Sequence, residues 1–178
     1  VEDWSADGRF LIYNIGGASK TRDDLWVLPL TGDRKPAPLV MTPFNDTQGQ
    51  LSPDGRWLAY RSSESGKLEV YVQAFPPSGG KWQISTTGGE EPRWRRDGKE
   101  LFYVAEEKLM AVPVKAAGSS FEAGIPTKLF EAPLVRASHR SRYLVASNGQ
   151  RFLVNMTVEQ TTVSPFTVVL NWLAAVKK

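Results

Sequence analysis

The chain has no cysteine and a single histidine, His139, among its 178 residues. The first lack excludes disulfides and thiolate chemistry, and the two together exclude a zinc site of the usual Cys/His kind. No apolar run approaches the roughly 20 residues of a membrane-spanning helix, and no signal-peptide pattern stands at the start. A strong excess of one charge is missing too. The 22 basic and 19 acidic residues leave a net +3, far from the basic stripe of a nucleic-acid binder, so no nucleic acid is expected as partner. The carboxylates show no calcium-loop spacing, so neither metal nor cofactor is expected.

Catalytic motifs fail as well. "GGASKT" at 16–21 would need glycine at Asn14 and Ser19 to make a phosphate loop. "GSSFE" at 118–122 lacks the closing glycine of a nucleophile elbow. Ser78-Gly79-Gly80-Lys81 matches S-x-x-K in letters only, because it lies in a turn-forming stretch. A Ser-His-Asp triad would have to use His139. No catalytic constellation emerges, and the chain is not expected to be an enzyme by itself.

What is abundant points elsewhere. Six Trp, eight Phe and five Tyr accompany 15 Gly and 12 Pro, a mixture that favours strands and tight turns over helices. One phrase recurs: "WSADGRFLIY" (4–13), "LSPDGRWLAY" (51–60), "WRRDGKELFY" (94–103) and, more loosely, "ASNGQRFLVN" (146–155). Aligned on Asp7-Gly8, Asp54-Gly55, Asp97-Gly98 and Asn148-Gly149, the copies are spaced by 47, 43 and 51 residues. Asp-Gly and Asn-Gly signal hairpins whose two central residues both take positive φ. A short strand precedes each turn, and an apolar strand follows at Phe10–Tyr13, Trp57–Tyr60, Leu101–Val104 and Phe152–Val154. Third strands are expected at 24–30, 68–75, 108–114 and 166–172, and fourth strands at 37–42, 81–86 and 127–132.

Four antiparallel strands repeating every 40–50 residues describe an all-β β-propeller of about four blades, the last incomplete. A β-sandwich would not explain the constant spacing of one turn. The blades are expected at about 1–43, 44–86, 87–132 and 133–178. Because Asp7, Asp54 and Asp97 recur at equivalent places, their role is read as turn formation and not chemistry.

The phrase S-x-D-G-[KR]-x-[LIF]-x-[YF], as in Ser52 to Tyr60, resembles the TolB-like, WD-like propeller repeat over essentially the whole chain. "DLWVLPLTGDRKPAPLV", "GKWQISTTGGEEPRWRRDGKELFY" and "TVVLNWLAAVKK" are similar to the C-terminal propeller of large bacterial proteins, including eukaryotic-like Ser/Thr kinases. The resemblance implies a sensor or scaffold module with a protein or peptide partner, located outside the cytoplasm. The start at Val1 suggests that further sequence lies upstream, and the ending resembles the natural end of such proteins. An arc of this length is expected to expose its first and last blades, so that two copies could close a ring.

In a propeller, the loops from a fourth strand to the next first strand share one face with the loops joining second to third strands. Function on rigid scaffolds resides in such loops. Those stretches nominate Asn45, Asp46, Glu90, Glu91, Arg93, Arg136, His139, Arg140 and Arg142 as partner-binding residues. "VRASHRSR" could pair with carboxylates or phosphate. Trp94 is read as core. The alternative to a binding module is the propeller part of a prolyl-oligopeptidase-like or lactonase-like hydrolase. Its catalytic groups would then lie elsewhere. A carbohydrate-binding propeller would need exposed aromatics such as Trp82 or Phe44.

Overall fold

A computed structural model describes residues 1–16, 22–118, 120–135 and 141–156. All regular elements among them are strands. The first sheet runs β1 (Asp3–Trp4), β2 (Phe10–Gly16), β3 (Asp23–Pro29), β4 (Ala37–Val40), each antiparallel to the next. The second repeats that order with β5 (Asp46–Leu51), β6 (Trp57–Ser62), β7 (Glu69–Ala74) and β8 (Lys81–Gln83). The third comprises β9 (Glu90–Trp94), β10 (Glu100–Ala105), β11 (Lys108–Ala117) and β13 (Thr127–Glu131), with one addition. A fourth unit contributes the hairpin β14 (Tyr143–Val145) and β15 (Phe152–Val154). The third strand expected at 166–172 lies outside the described residues.

The addition is β12 (Ser120–Ala123), which pairs with the far half of β11 while β13 pairs with its near half. The sequence reading ended the third strand at 114 and had no strand over 120–123. The extension has a packing reason. It carries Phe121, 4 % exposed, into contact with the rings of Trp57, Trp82 and Trp94 at centroid distances of 5.0, 5.3 and 6.4 Å. Tilted and edge-to-face aromatic contacts of this kind add about 0.5–1.5 kcal/mol each beyond area burial.

The recurring turn differs in detail from the hairpin expected. Gly8, Gly55, Gly98 and Gly149 have φ between 67° and 73°, whereas the Asp or Asn before each is not left-handed. Each glycine N–H donates to the carbonyl three residues earlier, at 2.8–2.9 Å. The preceding side chain then caps the turn. Oδ1 of Asp7, Asp54, Asp97 and Asn148 accepts the N–H two residues on, at 3.0, 3.2, 3.0 and 3.0 Å. An acceptor on a short side chain is what this bond needs, so Asp and Asn serve equally. In the first two copies a serine hydroxyl completes the cap. Ser5 and Ser52 donate to Asp7 and Asp54 and accept the N–H of Phe10 and Trp57.

The core lies between sheets, in three seams. Ile12, Leu25 and Val27 of the first sheet meet Leu51, Leu58 and Tyr60 of the second. Trp57, Ala59, Val70 and Val72 meet Leu101, Tyr103 and Val112 of the third. Phe102, Val104 and Leu109 meet Tyr143, Phe152 and Val154 of the last hairpin. The second and third blades therefore each have a backward face, packed on the blade before, and a forward face, packed on the blade after. Gly49 lets the first two approach closely: a Cβ there would stand 3.0 Å from Ile12 Cγ2 and 3.1 Å from Leu25 Cδ1.

Candidate functional site

Among the described residues, the connections before β5 and after β6 meet the start of β9 at one end of the sheets. Asn45 N–H donates to Ser63 Oγ at 3.1 Å, and Arg61 Nη1 lies 3.0 Å from Glu90 Oε2. These contacts tie the entries of β5 and β9 to the exit of β6. Four of the nominated residues, Glu90, Glu91, Arg93 and Arg142, lie side by side across the third and fourth blades, and Arg61 and Gln48 join them from the second.

Glu91 is its centre. It sits in the left-handed region at φ 54° in an irregular stretch of β9 and is 7 % exposed. Its carboxylate accepts the backbone N–H of Arg142 at 2.8 Å and the guanidinium Nε at 2.6 Å. Its carbonyl accepts the Tyr143 hydroxyl at 2.8 Å, and burial pushes that phenol well up from its ordinary range. Its own N–H donates to Gln48 Oε1 at 2.7 Å. Gln48 occupies the corresponding place in β5, also left-handed at φ 58° and also beside a break in register. Thus Gln48 reaches forward to the position 43 residues on, and Glu91 to the position 51 residues on, the same steps that separate the turns. Each bulge residue clasps the next blade.

Glu90 bridges on the outer side, with Arg61 at 3.0 Å and Arg142 Nη2 at 3.5 Å. Arg93 Nη2 donates to Ser141 Oγ at 2.8 Å, again one blade ahead. Asp46 is fully buried and accepts from the Thr42 hydroxyl. Burial raises its carboxyl above the ordinary range, with the Ser62 and Thr42 hydroxyls opposing that shift. Asp3 is raised likewise by burial, against the Leu51 N–H that it accepts at 2.8 Å. Arg136, His139 and Arg140 lie outside the described residues.

Other polar and aromatic groups are engaged within the chain. Arg95 binds Asp97 and Glu100 at 2.7 and 2.6 Å. Trp94 packs against the second seam and its Nε1 donates to Gln50 O at 3.1 Å, as expected of a core residue. Trp82 is not the exposed platform that a sugar would need, since it is packed against Trp57 and Phe121. Phe44 remains 38 % exposed and Met41 51 % exposed at the loop end, flanking Thr42. Sequence reasoning passed over Gln48, although its spacing from Glu91 equals the repeat.

No protein-family model matches the sequence. No curated protein matches it either. Solved structures do. The putative TolB from Agrobacterium tumefaciens aligns with a TM-score of 0.52 at 18 % identity, over 70 % of this chain and 48 % of that one. TolB from Acinetobacter baumannii gives 0.57 at 15 % identity, over 85 % and 36 %. The periplasmic gluconolactonase PpgL of Pseudomonas aeruginosa gives 0.50 at 17 % identity, over 83 % and 47 %. The chain is a partial β-propeller of TolB-like fold. It spans less than half the length of each of these proteins. Of the nominated charges among the described residues, Glu90, Glu91, Arg93 and Arg142 link one blade to the next.

Proposed function

We propose that this partial propeller is a non-enzymatic module that binds a protein or peptide, as the sensor or scaffold part of a larger bacterial protein located outside the cytoplasm. The observation that carries the reading is the state of the loop end. The Glu91 carboxylate is spent on Arg142 in the clasp and the Asn45 N–H is held by Ser63 Oγ, while Met41 and Phe44 stay exposed beside Asn45. A preformed rim with exposed apolar and amide groups suits peptide recognition, because little ordering entropy is lost on binding. The periplasmic gluconolactonase of similar fold supports the location. A context beside a kinase domain rests on the sequence resemblance.

Selection of a random peptide library against the immobilised chain tests this. Peptides are expected to enrich, and Met41→Ser with Phe44→Ala should weaken them by at least about tenfold, as loss of an apolar anchor does. Failure to enrich, or binding indifferent to both substitutions, overturns the proposal. Turnover of lactones by the same preparation would favour the hydrolase reading instead.

A further inference from the structure

The recurring turns of the second and third blades present a cation outward and draw their anion inward. Arg56 and Lys99 directly follow the turn glycines, and both are exposed. Asp54 and Asp97 are bent back instead, with Oδ1 accepting the N–H of Arg56 at 3.2 Å and that of Lys99 at 3.0 Å. Neighbouring turns also touch. A Cβ on Gly98 would stand 4.0 Å from Pro53 Cδ in the turn before it, and a Cβ on Gly149 would stand 2.4 Å from Arg95 Cδ. The turns of the second, third and fourth blades therefore make one continuous arc.

Charge along that arc is uneven. Its cations are Arg56, Arg95, Arg96, Lys99 and Arg151, and its carboxylates are Asp54, Asp97 and Glu100. Arg95 holds both Asp97 and Glu100, at 2.7 and 2.6 Å. Arg56, Arg96, Lys99 and Arg151 are exposed and make no ion pair among the described residues, which leaves Asp54 as the carboxylate of these turns that faces them. The fourth turn adds no anion, since Asn148 stands in the aspartate's place.

We propose that this arc is a docking row for an acidic polypeptide segment, laid in extended form across the three turns. Its shape is that of a row and not a plane. β11 runs on past Val114, whose N–H meets the Lys99 carbonyl at 2.8 Å, as far as Ala117. Its pairing with β12 thus projects beyond the turns on their outer side and would hold a lipid surface away from them. The exposed aromatic rings among the described residues, Trp4 and Phe44, lie outside these turns, so nucleotide bases would find nothing to stack on. Guanidinium groups at Arg56, Arg96 and Arg151 offer forked donors that match carboxylates, and an extended chain can bring one carboxylate to each turn. The row goes beyond the peptide-binding reading and is independent of it. Met41 and Phe44 precede β5, whereas Asp54 follows it, so the two surfaces lie at opposite ends of the sheets.

Fluorescence anisotropy of a labelled peptide of alternating Glu and Ser, titrated with the 178-residue chain, tests the row. Binding is expected at about 0.01 M NaCl and should weaken by at least about tenfold at about 1 M, as the screening length falls from about 30 to about 3 Å. Arg56→Gln combined with Lys99→Gln should weaken it by about fivefold or more at low salt. Both side chains are exposed, and the backbone N–H of each still makes its turn cap. Lys67→Glu alters net charge by the same amount at the other end of the sheets and should leave binding unchanged. Met41→Ser with Phe44→Ala should leave it unchanged too, which separates this row from the loop-end site. Circular dichroism should show one fold for all variants. Absence of binding at low salt overturns the inference. So does a loss in Lys67→Glu as large as in the glutamine pair, or tighter binding of phosphatidylglycerol vesicles or of an oligothymidylate than of the peptide.

Discussion

Glu91 gathers several of the polar contacts between the third and fourth blades. It accepts two bonds from Arg142, one from backbone and one from guanidinium, and both residues are buried. Removing one member of a buried, hydrogen-bonded ion pair typically costs about 3–5 kcal/mol, because the other is left charged and unpaired. Glu91→Ala should lower stability by about that amount, read as the urea midpoint, and Arg142→Met in the same chain should restore part of it. If the double variant is no more stable than the single, the pair does not couple. At the turns the scale is smaller. The Arg9 N–H holds Asp7 at about 2, and the Arg95 guanidinium with the Lys99 N–H does the same for Asp97. A carboxyl lower in the folded than in the unfolded chain stabilises above its unfolded value and loses that contribution as protons return. Stability should therefore fall as pH drops from the ordinary 3.8 towards about 2. Asp7→Asn with Asp97→Asn keeps the capping acceptor, as Asn148 shows, and should flatten that acid limb of urea midpoint against pH.

At the scale of the element, the turn strand pairs were legible because everything that makes them is local. Asp54 caps its own turn two residues away, and alternation from Trp57 onward marks the strand that follows. The positive φ at both turn residues was misjudged because the side-chain cap lets Asp keep a negative φ and leaves the reversal to glycine. β12 was not legible, since Phe121 has meaning only against Trp57 and Trp82 some 40–65 residues earlier in the chain. The same distance hid the clasp. Nothing near Gln48 says that its amide will meet the N–H of Glu91. Gly49 beside it is a sharper case of a residue read only in three dimensions. A methyl there would press on Ile12 and Leu25, both fully buried. Gly49→Ala should destabilise by about 1–3 kcal/mol through overpacking of the first seam. An unchanged thermal midpoint would mean that the two blades can shift apart freely.

At the scale of the whole molecule, the blades are alike in strand order but not in what they say to their neighbours. Gln48 offers a neutral amide to a backbone N–H, and Glu91 offers a carboxylate to an N–H and a guanidinium together. Arg142, in the third corresponding place, offers only donors. The clasp has a direction, always from one blade's first strand to the next. Exchanging the second and third blades as cassettes would bury Arg142 opposite an amide and set Glu91 against a seam with no cation to receive it. The piece of this protein that could be transplanted intact is consequently not a blade. It is a seam, and because neighbouring residues of one strand serve opposite seams, as Leu58 and Ala59 do, a seam can be moved only with both of its sheets whole.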